Sequence, residues 1–495
     1  MTMPPGNPRD GAPRSKKPLL RLLSIICVTT LLASCSNSNN NSPAAPRVPV
    51  ASVSGPITAG SRGFPATPAV VDLAAAGYVE EEFFLEGTAR AFAQVGDWTI
   101  DGVWPVSEAS KAAYKTRILV RRPTDPAKFS GVVVVEWFNV TSHVDIDVDF
   151  GFLSMEILRE GHAWVGVTAQ AIAIESIGSG PFGAGAVGLL TWDPDRYNSL
   201  HHPGDAYSYD IFSQAGATLQ NPPGIDPLGG LQPQIILADG QSQSAIRMVT
   251  YVNAIHPDAG VYDGFLIHNR AGFGASLGDG YATSVAKVRT DLDAPVFQFT
   301  TETELFELAG VDLGFTKVRQ PDSRSVHTWE VTGTSHADAH YLTGLNKQGN
   351  LQFEDFLDLS AVIPIVNSAP QYLAMNAALH SLVDWVADGT PPASAPPIDT
   401  ADDAIVRDIY GNALGGLRLP HIEVPIALLS GEGAIPFSGQ TVPFDSATLA
   451  MLYPDKATYV DAVRTAAEAA VDSRYLLPVD AAMIIAEAEA EAPVD

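Results

Sequence analysis

The segment Ile235-Ile236-Leu237-Ala238-Asp239-Gly240-Gln241-Ser242-Gln243-Ser244-Ala245 limits the fold more than any other stretch of the chain. Its apolar start reads as a buried strand over Gln234 to Ala238, and the run through Ala245 to Ala254 reads as a helix. A strand that turns sharply into a helix brings two backbones close together. The residues two before and two after the apex must therefore be small, and Gly240 and Ser244 meet that demand. Ser242 then sits at the apex in strained backbone geometry with its hydroxyl presented outward, which is the geometry of a nucleophile elbow. The pattern is Gly-x-Ser-x-Ser, not Gly-x-Ser-x-Gly, but serine still satisfies the size requirement. The plainer alternative is a serine-rich loop that caps the helix.

Strands and helices alternate on both sides of this segment. Val132 to Val135 is a continuous apolar run, the mark of a central strand buried on both faces. Phe152 to Glu160 reads as helix, and Ala163 to Val167, Pro295 to Phe299 and Val326 to Val331 as strands. This is the pattern of a mostly parallel α/β sheet. A stretch from about 171 to 231, rich in Gly, Pro, His, Asp and Tyr, is too long for a structureless loop. It reads as an insertion placed as a cap. A second irregular region spans about 344 to 423 and includes a helical run near Ala374 to Ala387.

Order along the chain extends the serine's reading. Thr300-Thr301-Glu302-Thr303-Glu304 follows one strand and Gly333-Thr334-Ser335-His336 follows the next. Nucleophile, acid, histidine is the chain order of an α/β-hydrolase triad. His336 is placed to take the Ser242 proton and return it to a leaving group, with a carboxylate fixing its tautomer. Glu304, farther past its strand, is the preferred carboxylate, and Glu302 is its competitor. The oxyanion would be met by the Gln243 amide and by a second amide from the loop after Val135, that of Phe138 or Asn139. His336-Ala337-Asp338-Ala339-His340 also has metal-like spacing but shows no third ligand or supporting shell. Asp145, Asp147 and Asp149 alternate as in calcium loops but lack the glycine and distal glutamate, so they read as a solvated loop. His201 and His202 read as cap structure. No cofactor is expected.

The segments VVVEWFNV (133–140), HAWVGVTAQ (162–170), TTETEL (300–305), WEVTGTSHADAH (329–340) and RDIYGNALGGLRLPHIEVPIA (407–427), together with the elbow and the DPDRYNSLHHPGDAYSYDIFSQAG run (193–216), resemble the bacterial "alpha/beta hydrolase domain" family. The resemblance covers roughly 60 to 490. It implies an α/β-hydrolase fold, a mostly parallel sheet flanked by helices, with Ser242 and His336 in the triad. The family commonly carries Asp where this chain has Glu304.

The N-terminus reads as a leader. Arg14, Lys16, Lys17 and Arg21 precede the apolar run Leu22 to Leu32, which is too short to span a bilayer, and Leu32-Ala33-Ser34-Cys35 resembles a lipobox. The expected plan is a signal peptide over 1–34, lipid attachment at Cys35, a tether over 35–65, and a catalytic domain over 66–490. The protein would then be exported and anchored to a bacterial membrane. The only cysteines are Cys27 and Cys35, so the folded domain carries no disulfide.

The formal net charge of −27 opposes binding to nucleic acid. The expected substrate is a small-molecule carboxylic ester cleaved through an acyl-enzyme. Amidase, lactonase or acyltransferase chemistry would use the same triad, and a catalytically silent surface-tethered binding protein is the alternative of another class. Trp137, Phe138, Phe182, Trp192, Tyr197, Tyr207, Tyr209 and Phe212 read equally well as an acyl pocket or as core.

Overall fold

The computed structural model of the chain describes residues 47–176, 187–308 and 311–494. The expected signal peptide, Cys35 and Phe182 lie outside the described residues.

Nine strands build one sheet: β1 (Ser52–Ser54), β2 (Tyr78–Gln94), β3 (Val106–Pro123), β4 (Val132–Trp137), β5 (Ala163–Val167), β6 (Ile235–Gln241), β7 (Gly264–His268), β8 (Val296–Thr301) and β9 (Val326–Val331). Their spatial order is β1-β2-β3-β5-β4-β6-β7-β8-β9. From β5 to β9 every pairing is parallel, while β1, β2 and β3 pair antiparallel at one side. This is the α/β-hydrolase fold.

The sheet is covered on both faces, and the alternation of its residues shows how. Val133, Val135, Ile236 and Ala238 face one core with Tyr209, Ile211 and Phe212 of α2 (Ser208–Gln220) and Met248 and Val249 of α3 (Gln243–Thr250). Val132, Val134 and Leu237 face the other, with Phe152, Leu153 and Ile157 of α1 (Val148–Glu160). Helices α5 (Gln371–Asp388), α6 (Lys456–Asp472) and α7 (Pro478–Ala490) fill out this second side, and α4 (Ala339–Gln352) follows β9. The neighbouring strand residues point to opposite faces, so a continuous valine run is what a doubly covered strand needs. Among the described residues no helix is long and apolar enough to cross a membrane.

Two expectations need correction. The stretch assigned to a tether up to residue 65 is partly built into the sheet: Val48 and Ala51 are buried, β1 pairs with β2, and the Ala51 amide donates to Thr218 Oγ1 at 2.8 Å. The C-terminal part of the presumed cap is α2, a core helix rather than a lid, and the aromatics Trp137, Phe138, Trp192, Tyr197, Tyr209 and Phe212 are all buried in the cores. In the irregular region after residue 344, the helical run near Ala374 to Ala387 is part of α5, whose Leu373, Ala377 and Leu382 lie in the core on that side of the sheet.

The aspartates of the loop after β4 are also not solvated. Asp145 pairs with Arg117 at 3.1 Å, Asp147 pairs with Arg121, and Asp149 Oδ1 lies 2.6 Å from His268 Nδ1. Arg117 and Arg121 lie on β3 and are fully buried, so these ion pairs bolt the loop to the sheet. Removing one partner of such a pair typically costs about 3–5 kcal/mol.

Gly161 ends α1 at φ +75°, and a Cβ there would lie 2.0 Å from the Lys128 carbonyl oxygen, which leaves room for no other residue.

Candidate active site

The C-terminal ends of the parallel strands gather the site. β6 ends at Gln241, α3 begins at Gln243, and Ser242 stands between them at φ +61° and ψ −115°. For a residue with a side chain this region costs about 1–3 kcal/mol and persists only when its surroundings impose it. They do so here through the Ser242 amide, which donates to the His268 carbonyl at 3.0 Å, and the Ser242 carbonyl, which accepts from Ile246 at 3.0 Å. The demand for small neighbours is visible as well: a Cβ on Gly240 would stand 3.2 Å from the Ser244 Cβ. Ser244 Oγ is buried and donates to the Gln241 carbonyl at 2.9 Å.

β8 runs into a single 3₁₀ turn, Glu302–Glu304, capped by Thr301. The two glutamates point to different places. Glu304 Oε1 lies 2.6 Å from His336 Nδ1, and its Oε2 accepts from the Thr301 hydroxyl and, at 3.2 Å, the Thr301 amide. Glu302 instead accepts from the Gly333 amide at 2.7 Å, the Gly431 amide at 3.0 Å and Arg407 at 2.9 Å. Burial lifts the Glu302 carboxyl above the ordinary range, against the pull of Arg407. The structure therefore puts Glu304 on the histidine and uses Glu302 to tie together three loops.

A carboxylate at Nδ1 makes that nitrogen the protonated one and leaves the Nε2 lone pair free to accept. The Gln241 side-chain amide donates to it at 3.2 Å, and this glutamine, not the Ser242 hydroxyl, is the partner of Nε2 among the described residues. Contacts at such sites are often longer in the free protein than during turnover. His340 points elsewhere, stacked on Tyr372 at 4.2 Å between ring centres.

The oxyanion assignments divide. Gln243 is the first residue of α3, so its amide has no acceptor within the helix. The Phe138 amide donates to the Val167 carbonyl at 3.3 Å and the Asn139 amide to the Ile146 carbonyl at 3.1 Å. Both expected donors are thus already engaged. The next amide, Val140, has a looser partner, Gln243 Oε1 at 3.4 Å. Gln243 is in turn held by Gln170 at 2.8 Å, and Gln170 by Trp137 and by Asp205, which Arg247 pairs at 3.0 Å. None of Gln241, Val140, Gln170, Asp205 or Arg247 is singled out by sequence pattern alone. The one available hint is that Gln241 and Gln243 flank the apex.

Beneath the elbow lies a group of buried acids. Burial holds Glu136, Asp149 and Asp239 well above the ordinary carboxylate range, with added repulsion on Glu136 from Asp239 and Asp149 and on Asp239 from Asp149. Among the described residues neither oxygen of Asp239 has a hydrogen-bond partner. Burial also depresses His268 to about 3, so it carries no compensating charge at neutral pH. Acids with raised values in the folded state stabilise it below the ordinary carboxylate pKa of about 4, and lose that contribution as pH climbs through the raised value. The melting temperature of the wild type should therefore fall more steeply as pH rises above about 4 than that of Asp239→Asn. Parallel melting curves across that rise would show that Asp239 is not the proton holder described.

The family described as "Alpha/beta hydrolase domain" matches residues 53–486, most of the chain. This chain belongs to that family. Among solved structures, the hydrolase is similar to an α/β serine hydrolase from Xanthomonas campestris described as lacking a lid, with 10% identity, 53% of this chain and 92% of that one covered, and a TM-score of 0.27. It is also similar to an α/β serine hydrolase homologue from Coxiella burnetii (10% identity, 48% and 90% covered, TM-score 0.25). A rice cell-wall-degrading esterase from Xanthomonas oryzae matches at 11% identity over 43% of this chain and 50% of that one, with a TM-score of 0.23. Scores this low carry no argument about the hydrolase's substrate. No curated protein matches it.

Proposed function

We propose that the hydrolase cleaves carboxylic esters through an acyl-enzyme on Ser242. The observation that carries this reading is the 2.6 Å contact between Glu304 and His336, set beside a serine held at positive φ on a strand-to-helix turn. In the proposed cycle, Ser242 Oγ attacks the ester carbonyl carbon while its proton passes to His336 Nε2, displacing the long Gln241 contact. Negative charge on the carbonyl oxygen is met by the Gln243 and Val140 amides, the latter released from Gln243 Oε1. The intermediate collapses, the carbon–oxygen bond to the alcohol breaks, and His336 gives that alcohol the proton. Water then repeats the sequence on the acyl-enzyme and frees the acid. Glu304 orients the ring and stabilises the imidazolium.

The test is a panel of p-nitrophenyl esters of graded acyl length, with Ser242→Ala as the blank. Saturable release from at least one ester by the wild type alone supports the reading, and no release from any of them contradicts it.

We also propose that Cys35 carries a lipid that holds the hydrolase on the outer side of a bacterial membrane. The ordered basic, apolar and small-residue stretch that ends at Cys35 supports this. Cys35→Ser should move the protein from the membrane fraction to the soluble fraction. Retention in the membrane would contradict the anchor.

A further inference from the structure

The hairpin β10 (Ala427–Ile435) and β11 (Gly439–Pro443) reaches the site from the C-terminal side of the chain. Its connection is the turn Ile435-Pro436-Phe437-Ser438, closed by the Ser438 amide donating to the Ile435 carbonyl at 3.2 Å. Proline occupies the first inner position, which suits it, and Phe437 occupies the second at φ +67°. That second position calls for glycine or asparagine, because a bulky side chain there is strained.

The turn is nonetheless fixed. The Phe437 carbonyl accepts from the Ala337 amide at 2.9 Å, and the Ser438 carbonyl accepts from the Asn367 amide at 2.9 Å and from Ser335 Oγ at 3.2 Å. These donors flank His336 in sequence or pack beside it, so the turn is registered against the histidine loop. The strained backbone delivers a half-buried aromatic ring whose centre is 5.3 Å from that of His336. The same ring packs against an apolar cluster that includes Ile246, one turn beyond the nucleophile, and Leu313.

We propose that Phe437 is a specificity-determining residue that walls the leaving-group side of the site and selects esters of apolar alcohols. The inference rests on the ester-hydrolase reading above. His336 must hand its proton to the departing oxygen, so the alcohol leaves past the histidine, along the surface that Phe437 and its apolar neighbours form. A hydrated or charged alcohol would lose water against that surface without gaining a polar partner. An aliphatic or benzylic alcohol would bury apolar area there.

The strain supplies the test. Phe437→Gly removes the ring while giving the turn the residue its geometry favours, and Phe437→Asn does so with a side chain that tolerates positive φ. For wild type and both variants, kcat/KM is measured on benzyl and methyl esters of one acid, with melting temperature and the rate of fluorophosphonate labelling, which expels only fluoride. The expected result is a fall in the benzyl-to-methyl ratio of roughly tenfold or more, a labelling rate that changes far less than benzyl ester turnover, and a melting temperature that does not drop. Equal losses on both esters, or an unchanged ratio in an active enzyme, overturns this inference alone. A wild type that hydrolyses neither ester overturns it together with the function on which it rests.

Discussion

Ser242→Ala should lower kcat on any ester the wild type hydrolyses by about 10⁴- to 10⁶-fold, the range seen when the nucleophile of a serine triad is removed. The melting temperature should move by no more than a few degrees, since one oxygen is lost from a half-buried site and alanine meets the same positive-φ backbone. No neighbouring hydroxyl can take over. Ser244 is two residues away, but its Oγ is buried and donates to the Gln241 carbonyl. The Thr303 hydroxyl donates to the Gly431 carbonyl at 3.0 Å. A variant that keeps more than about a tenth of wild-type kcat would mean that chemistry proceeds without this nucleophile.

The second large effect separates the two glutamates. Glu304→Gln puts an amide where His336 Nδ1 needs an anionic acceptor. The ring then lacks both its tautomer constraint and the charge that stabilises imidazolium, and loss of the carboxylate in this role costs about 10⁴-fold in kcat. The loss should appear in kcat, with KM changed little. Glu302→Gln should behave differently. It weakens the acceptor that holds the Gly333 and Gly431 amides and Arg407, so it should cost roughly 1–3 kcal/mol of stability while kcat stays within several-fold. Steady-state kinetics beside thermal melts of the two variants reads the contrast. If Glu302→Gln loses as much kcat as Glu304→Gln, the assignment of the acid is wrong.

The choice between these residues shows what the sequence could and could not carry. Both follow the right strand, and both are buried. They lie two apart on a 3₁₀ turn, where each residue advances about 120°, so they face different directions. Glu302 is held away from His336 by the Gly333 and Gly431 amides and by Arg407, and no local pattern contains the two distant partners. The second amide of the proposed oxyanion site was hidden by a pairing of the same non-local kind. Asn139 and Ile146 exchange two backbone hydrogen bonds, at 3.1 and 2.9 Å, which use up the Asn139 amide and shift the looser donor to Val140.

The elements read well from sequence are those whose burial is uniform. Val132 to Val135 and Val326 to Val331 are covered on both faces, and the pattern shows it. The long hairpin of β2 and β3 escaped because Ser107 to Lys111 is exposed and polar, and because Glu80-Glu81-Glu82 looks like surface although Glu82 is buried against Arg117 and Arg196. Helix α2 was misplaced in a cap because its Ser, Gln and Gly residues look like surface. They are buried because Tyr209, Phe212 and the polar pairs of Asp210 and Gln214 face the sheet and β2.

The central claim is that Ser242 is a nucleophile activated by His336 and Glu304. Labelling the full chain with a fluorophosphonate and mapping the adduct by peptide mass spectrometry tests it most directly. One stoichiometric phosphonyl adduct on Ser242 is expected, absent in Ser242→Ala and formed far more slowly in Glu304→Gln. An unlabelled wild type, or an adduct on any other residue, would contradict it.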